Sequence, residues 1–89
     1  MPTKTRVWVV VETKATYTGI KFDILAIFKN EEFAKRKFQK VVDALTNKKP
    51  EKEIIKVGEY ERSFTAIYET KGGIPSRYNI VEMKAKLMI

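Results

Sequence analysis

One segment of this chain repeats its apolar residues at helical spacing, and that segment limits the fold more than any other feature. The repeat runs at intervals of four, three, one and three residues, through Ala34, Phe38, Val41, Val42 and Leu45. Such spacing gathers the side chains into one arc of a helix. Asn30 can cap the first turn, and the residue before Pro50 avoids helical angles. The sequence therefore predicts a single amphipathic helix that begins after Asn30 and ends near Asn47.

The segments on both sides of the helix have the two-residue period and the β-branched content of strands. In chain order, the predicted strands cover residues 5–13, 20–29, 53–60, 62–70 and 78–89. Turn signals at Tyr17-Thr18-Gly19 and from Lys71 to Ser76 separate neighbouring strands. Gly58 is interpreted as a bulge, so the third and fourth segments count either as one split strand or as two strands.

This order of elements predicts a two-layer α+β fold. An 89-residue chain has enough surface to bury one core and not two, so we expect a single domain over residues 1–89. The amphipathic helix should pack on one face of a four- to five-stranded antiparallel sheet, in the order ββαββ. One face of the second strand is predicted to carry Ile20, Phe22, Ile24, Ala26 and Phe28. The last strand is predicted to direct toward the core Val81, Met83, Ala85, Leu87 and Ile89.

The chain contains neither Cys nor His, and these two absences exclude many kinds of active site. Disulfides, thiol nucleophiles, the usual zinc ligands and an imidazole base are all ruled out. Ser63 and Ser76 have no imidazole to activate them, and Gly72-Gly73 lacks the frame of a phosphate-binding loop. Glu59 and Glu61, about 7 Å apart on a strand, are expected to be solvated carboxylates. We therefore expect a protein that is not an enzyme and has no metal or cofactor.

The longest apolar stretches are short. None approaches the roughly 18 residues of a membrane span. The stretch from Val7 to Val11 is shorter than the roughly 7–15 apolar residues of a signal peptide. We expect no membrane partner and a cytoplasmic location, which is the host cytoplasm if the protein is viral.

The positive charge is concentrated around the predicted helix. The chain has 18 Lys and Arg against 11 Asp and Glu, a formal net charge of +7. Seven of the cations fall close together, at Lys35, Arg36, Lys37, Lys40, Lys48, Lys49 and Lys52. They predict a basic ridge on the helix and the linker after it, and such a ridge attracts phosphates in a salt-dependent way. The alternative is the ordinary solvated face of an amphipathic helix.

A second cluster interleaves tyrosine with cations in the strands after the helix. Its members are Tyr60, Arg62, Tyr68, Lys71, Arg77 and Tyr78. We expect them on the sheet face opposite the helix, where aromatic rings can stack unpaired bases while cations hold the backbone. Two alternatives stay open, namely ordinary cross-strand pairs and a Tyr–Arg surface that docks on a protein.

Three short motifs carry a family resemblance. They are Val7-Trp8-Val9-Val10, Ile27-Phe28-x-x-Glu31-Glu32-x-Ala34 and Tyr78-x-Ile80-x-Glu82. Over most of its length the chain resembles small proteins of tailed phages and their prokaryotic hosts that share a hairpin–helix–hairpin plan. The resemblance implies a non-enzymatic accessory protein, since phage proteins of this size often bind and disable a host defence factor such as a toxin ribonuclease. No catalytic residue carries over.

These observations lead to two expectations about function. The first is a small basic protein that binds RNA, or an RNA-bound host protein, through the basic ridge and the Tyr–Arg face. The second is a protein–protein interaction module, or an inhibitor of a host defence protein, without nucleic-acid binding. We also expect a homodimer. The apolar end Leu87-Met88-Ile89 should either pack into the core or pair across that dimer.

Overall fold

The helix forms where its cap and its periodicity predict it. In the computed structural model, which describes residues 5–88, α1 spans Glu31–Thr46. The side-chain oxygen of Asn30 accepts hydrogen bonds from the backbone amides of Glu32, at 2.8 Å, and Phe33, at 3.4 Å. These bonds satisfy two of the amides that a first helical turn leaves without partners. Asn47 caps the other end, so both predicted ends of the helix are confirmed.

Strands make up most of the remaining described chain. Their bounds are β1 Thr5–Thr16, β2 Gly19–Phe28, β3 Lys52–Val57, β4 Glu61–Lys71 and β5 Ile74–Met88. They form one antiparallel sheet in the order β2-β1-β5-β4-β3. The predicted α+β architecture, with one amphipathic helix on an antiparallel sheet, is confirmed.

Three strands follow the helix, so the order is ββαβββ and not the predicted ββαββ. β3 and β4 pair with each other because the chain reverses between them. Across this reversal the Gly58 amide donates a hydrogen bond to the carbonyl oxygen of Glu61, at 2.7 Å. Gly58 therefore belongs to a hairpin turn. The interpretation as a bulge is wrong, because a bulge would have kept the chain running in one direction.

The core lies between α1 and one face of the sheet. The helix contributes Ala34, Phe38, Val42 and Leu45. The three inner strands, β1, β4 and β5, contribute Trp8, Val10, Phe64, Ala66, Val81 and Met83. The inward direction of Val81 and Met83 is as predicted, and every helix position in this core belongs to the predicted apolar arc.

The end of β5 extends past the core. Leu87 pairs with Arg6, beyond the pair of Trp8 and Ala85 that packs beneath the helix. Leu87 is 57% exposed, so the prediction that it points into the core is wrong. The reason is length, because a 16-residue helix rises only about 24 Å along a molecule that is 54 Å long. The same prediction for Ile89 lies outside the described residues.

A bulge in β2 changes which of its residues share a face. Val10 pairs with Ala26, but the next residue, Val11, pairs with Ile24. Leu25 is therefore an extra residue on β2, and it shifts the alternation by one position. Leu25, Ala26 and Phe28 lie on the helix side, whereas the opposite side carries Ile20, Phe22, Ile24 and Ile27. The predicted face holds as far as Ile24 and is wrong after it.

The turn between β4 and β5 is shorter than the predicted segment from Lys71 to Ser76, because β4 continues to Lys71 and β5 already begins at Ile74. Gly72 has φ of 60° and Gly73 has φ of 81°. Positive φ at both central positions is typical of the type I′ turn, whose twist matches that of the strands it joins. This tight turn starts β5 at the central position of the sheet.

Candidate nucleic-acid interface

Three of the seven predicted ridge cations lie together on one stripe of α1. Arg36, Lys37 and Lys40 line a groove of about 550 Å³ between the helix and the end of β2. The groove also includes Phe28, Phe33, Gln39 and Asp43. We call this feature the helix groove.

Two phenylalanine rings form the apolar floor of the helix groove. Phe33 lies in the first turn of α1 and is 52% exposed. Its ring centroid is 6.4 Å from that of Phe28 at the end of β2, and the two rings are tilted by 56°. The Arg36 guanidinium lies 5.8 Å from the Phe33 centroid, within the range of a cation–π contact. An exposed aromatic ring is thus held next to a cation.

The groove cations are not neutralised by neighbouring acids. Lys35, on the adjacent side of α1, contacts Glu31 at 3.3 Å and Glu32 at 3.8 Å. Across residues 5–88, no carboxylate oxygen lies within 4.0 Å of the cationic nitrogens of Arg36, Lys37 or Lys40. Asp43 at the groove wall accepts a hydrogen bond from Gln39 at 2.8 Å. The three cations therefore present their charge to whatever enters the groove.

Sequence reasoning missed Phe28 and Phe33, although the helix carried a signal for the second. Phe33, Arg36, Lys37 and Lys40 stand at i, i+3, i+4 and i+7, the spacing that places side chains on one helix face. Phe33 lies outside the apolar arc that packs on the sheet, so its ring has no place in the core. A large aromatic off the core arc, in line with three cations, is a recognisable sign of a binding stripe.

The remaining ridge cations are not continuous with the helix groove. Lys35 is engaged by the acids described above. Lys48 lines a different pocket near the other end of α1, and Lys49 follows it in the loop, with φ of 54°. Lys52 begins β3, where its register with Ile67 and then Tyr78 places it on the sheet face away from the helix. The prediction of one ridge from helix to linker therefore holds only for its helical part.

The predicted Tyr–Arg platform is not formed. Tyr68 lies on the helix side, where its hydroxyl donates to the backbone carbonyl of Leu45 at 3.1 Å, and the Arg77 guanidinium lies 5.9 Å from its ring. Burial, followed by the negative charge of Glu12, raises the pKa of Tyr68 above 10.0. Regular alternation along β4 places Tyr68 on the same face as the buried residues Phe64 and Ala66. The expectation that Tyr68 lies on the face opposite the helix is therefore wrong.

The other members of that cluster are also dispersed. Arg62 is half-buried on the helix side beside Phe38 and Val42. Tyr60 lies in the turn before β4, with the Arg6 guanidinium 4.3 Å from its ring centroid. Lys71 lies near the Tyr17 ring at the opposite end of β4. Tyr78 lies on β5, and its register with Ala15 and Ile67 places it on the face opposite the helix, as predicted. Their role in binding stays a prediction, but no single platform joins them.

A second basic pocket is a weaker candidate for anions. It measures about 270 Å³ and is lined by Lys14, Ala15, Thr16, Lys48, Tyr68, Arg77 and Asn79. Glu12 is buried beside it, at 8% exposure. Asn79 donates a hydrogen bond to the Glu12 carboxylate at 3.2 Å, and the Lys14 ammonium forms an ion pair with it at 3.8 Å. The last turn of α1 has no basic residue and directs its negative dipole end to this region. The pocket cations therefore offset negative charge that the protein itself supplies.

The sheet face away from the helix is apolar over β1 and β2. Ile20, Phe22, Ile24 and Ile27 are 60–71% exposed there. With Val9 and Val11 of β1, three of these side chains line a groove of about 380 Å³, and Glu82, Lys84 and Lys86 of β5 border it. We call these β1 and β2 residues the open apolar face. Exposed apolar areas of this kind are typical of contact surfaces.

Other kinds of site find little support in the described chain. Residues 5–88 contain no group of three Asp or Glu side chains placed to hold a metal ion. No helix in that range has the length and apolarity needed to cross a membrane.

Comparison with protein families, curated proteins and solved structures finds no match to this chain. The resemblance to phage accessory proteins therefore stays a prediction.

Proposed function

We propose that this chain is a non-enzymatic binding protein that holds single-stranded nucleic acid in the helix groove. The observation that carries the proposal is the stripe of Phe33, Arg36, Lys37 and Lys40 on one face of α1. It joins an exposed aromatic ring to three cations that have no carboxylate within 4.0 Å among residues 5–88. Proteins that bind unpaired nucleic acid combine these two features, because rings stack the bases and cations track the phosphates.

The geometry suggests how the work is divided between the side chains. An unpaired base stacks on the exposed side of Phe33, and the planar guanidinium of Arg36 can lie beside the same base. Lys37 and Lys40 are close enough along the helix to contact the phosphates that flank it. RNA and single-stranded DNA share this chemistry, whereas the stacked bases of a duplex cannot reach the ring.

The proposal is tested by titrating fluorescent single-stranded RNA, single-stranded DNA and a matched RNA duplex at low salt. Loss of one stacking contact costs about 1–3 kcal/mol, so Phe33→Ala should weaken binding of either single strand by about 5- to 150-fold. Ile55→Ala is the matched control, because Ile55 is an apolar side chain that is more exposed than Phe33, at 64% against 52%, but lies on β3 outside the groove. It should bind as the wild type does. Absence of binding at low salt, or equal effects of the two substitutions, would contradict the proposal.

A second candidate function uses the same groove for an acidic segment of a protein. It is favoured by the paired rings of Phe28 and Phe33 beside Arg36, because aromatic and arginine side chains are frequent anchors of protein interfaces. An inhibitor of a host defence protein, such as a toxin ribonuclease, belongs to this class. Affinity capture with and without nuclease separates the two candidates. A partner that survives nuclease and is lost with Phe33→Ala supports the protein-binding function.

A further inference from the structure

We infer that the open apolar face binds the same face of a second copy of this chain, so that two sheets stack in a symmetric homodimer. This interface is separate from the proposed nucleic-acid site, because the helix groove lies on the other side of the sheet. The expected occupant follows from three properties of the face, namely its area, its distribution of charge and its position relative to the helix.

The first property is area. Four side chains of β2 are 60–71% exposed. With roughly 200 Å² for each large side chain, they present on the order of 500 Å² of apolar surface, as much as the largest patches on most monomers. Half-buried neighbours on β1 and β5, among them Val9, Val11 and Ile80, bring the patch to roughly 600 Å² per partner, which is the lower limit for a stable interface. A flat area of this size matches another sheet better than it matches a single peptide.

The second property is the arrangement of charge. The register places no charged side chain of β1 or β2 on the open apolar face between Val7 and Ile27. Charge begins at its border on β5, where Lys84 contacts Glu82 at 3.1 Å and Lys86 follows. A border that carries both signs is complementary to its own copy about a two-fold axis, since Glu82 of one chain can meet a lysine of the other. A uniformly acidic or basic partner would leave one sign unpaired.

The third property explains how two chains of net charge +7 can approach each other. α1 and the cations of the helix groove lie on the far side of the sheet. Stacked layers are about 10 Å apart, so face-to-face packing places the two helices about 30 Å from one another. That distance exceeds the Debye length of about 8 Å at physiological salt. Each helix groove stays open to solvent in this arrangement, and burial of the apolar face meets little electrostatic opposition.

Sedimentation velocity from micromolar to near-millimolar concentration tests the homodimer. Wild-type protein should sediment as a dimer with a concentration-dependent monomer fraction. Phe22→Glu/Ile24→Glu should sediment as a monomer, because two charges then stand at the centre of the face. Ile55→Glu/Val57→Glu is the matched control. It places two charges at i, i+2 on the other edge strand, at side chains that are 64% and 65% exposed, and it should stay dimeric.

A second measurement keeps the test valid if the Phe22→Glu/Ile24→Glu variant does not fold. The chain has no Cys, so Lys86→Cys and Lys37→Cys each provide a single site for a spin label. In the proposed dimer, the distance between the two labels at position 86 is shorter than that at position 37. A wild-type monomer at the highest concentration, a dimer that survives Phe22→Glu/Ile24→Glu, open-ended association, or a shorter distance at position 37 would each overturn the inference. Nucleic-acid binding by wild-type monomer would still be measurable, so the two proposals fail separately.

Discussion

Replacing Arg36 and Lys40 with glutamate removes two of the three cations that line the helix groove and should do so without unfolding the domain. Both side chains are exposed on α1. Neither takes part in an ion pair within residues 5–88, and neither belongs to the core between helix and sheet. A thermal melt of Arg36→Glu/Lys40→Glu should therefore resemble that of the wild type.

The expected change in binding follows from the number of phosphates that the groove neutralises. For single strands, the logarithm of the binding constant falls with the logarithm of salt by about 0.7 for each neutralised phosphate. Three cations predict a slope of about −2, so affinity should fall about 20-fold between about 50 mM and 200 mM salt. In the double variant Lys37 stands between two introduced carboxylates, so the slope should be no steeper than about −0.7, and the same change in salt should weaken any remaining binding by at most about 3-fold.

Fluorescence anisotropy with one labelled RNA at several salt concentrations measures both slopes. Lys21→Glu/Lys56→Glu is the matched control, because it changes net charge equally at exposed positions on the two edge strands. Its slope should stay near the wild-type value if binding depends on the groove. If both double variants lose the same part of the slope, the RNA responds to net charge alone. That result would refute the assignment of the site to α1.

Three further predictions concern stability and are checked by thermal or denaturant melts. Asn30→Ala removes both cap hydrogen bonds of α1 and should cost about 1 kcal/mol. Gly73→Ala should cost about 1–2 kcal/mol through its positive φ alone, because a Cβ there meets no atom within 4 Å. Tyr68→Phe loses the hydrogen bond to Leu45 and should cost about 0.5–1.5 kcal/mol. Because the pKa of Tyr68 is raised above 10.0 in the fold, the unfolded chain loses this proton first. Stability should therefore fall as pH rises through 10 and above, and the fall should be shallower in Tyr68→Phe. Equal pH profiles for the two proteins would contradict this assignment.

The parts of the fold that depend on nearby residues could be predicted from the sequence. Asn30, the apolar arc of α1 and the chain reversal at Gly72-Gly73 each depend on only a few neighbouring residues, and the structure has all three where the sequence predicts them, although the last turn is shorter than expected. The bulge at Leu25 depends instead on how β2 pairs with β1. Alternation along β2 contains no sign of that pairing, since the strand is apolar on both sides of the bulge. Because of this single extra residue, Phe28 lies on the opposite face from Ile24, although the two were expected to share a face.

The sequence predicted the cations of the candidate site but not its aromatic residues. The clustering of positive charge in the sequence predicts the cations of α1, whereas the predicted aromatic partners are tyrosines of the strands after the helix. Those tyrosines are dispersed because Tyr60 lies in a turn, whereas Tyr68 and Tyr78 lie on opposite faces of the sheet. Phe33 shares a helix face with Arg36 and Lys40, and helical spacing alone relates them. Reading both faces of an amphipathic helix, and not only the face that packs, would have found the aromatic member of the groove.

The Leu25 bulge links the two surfaces for which binding is proposed. In the observed register Phe28 pairs with Trp8 and faces the helix side, while Ile27 pairs with Val9 and faces the other way. Continuing the register of Ile24 without the bulge would pair Ile27 with Trp8 and turn Phe28 away from α1. The helix groove would then lose the ring that packs against Phe33, and the open apolar face would lose Ile27. One irregular residue in an edge strand thus supplies both an aromatic floor on the helix side and a continuous apolar surface on the opposite side.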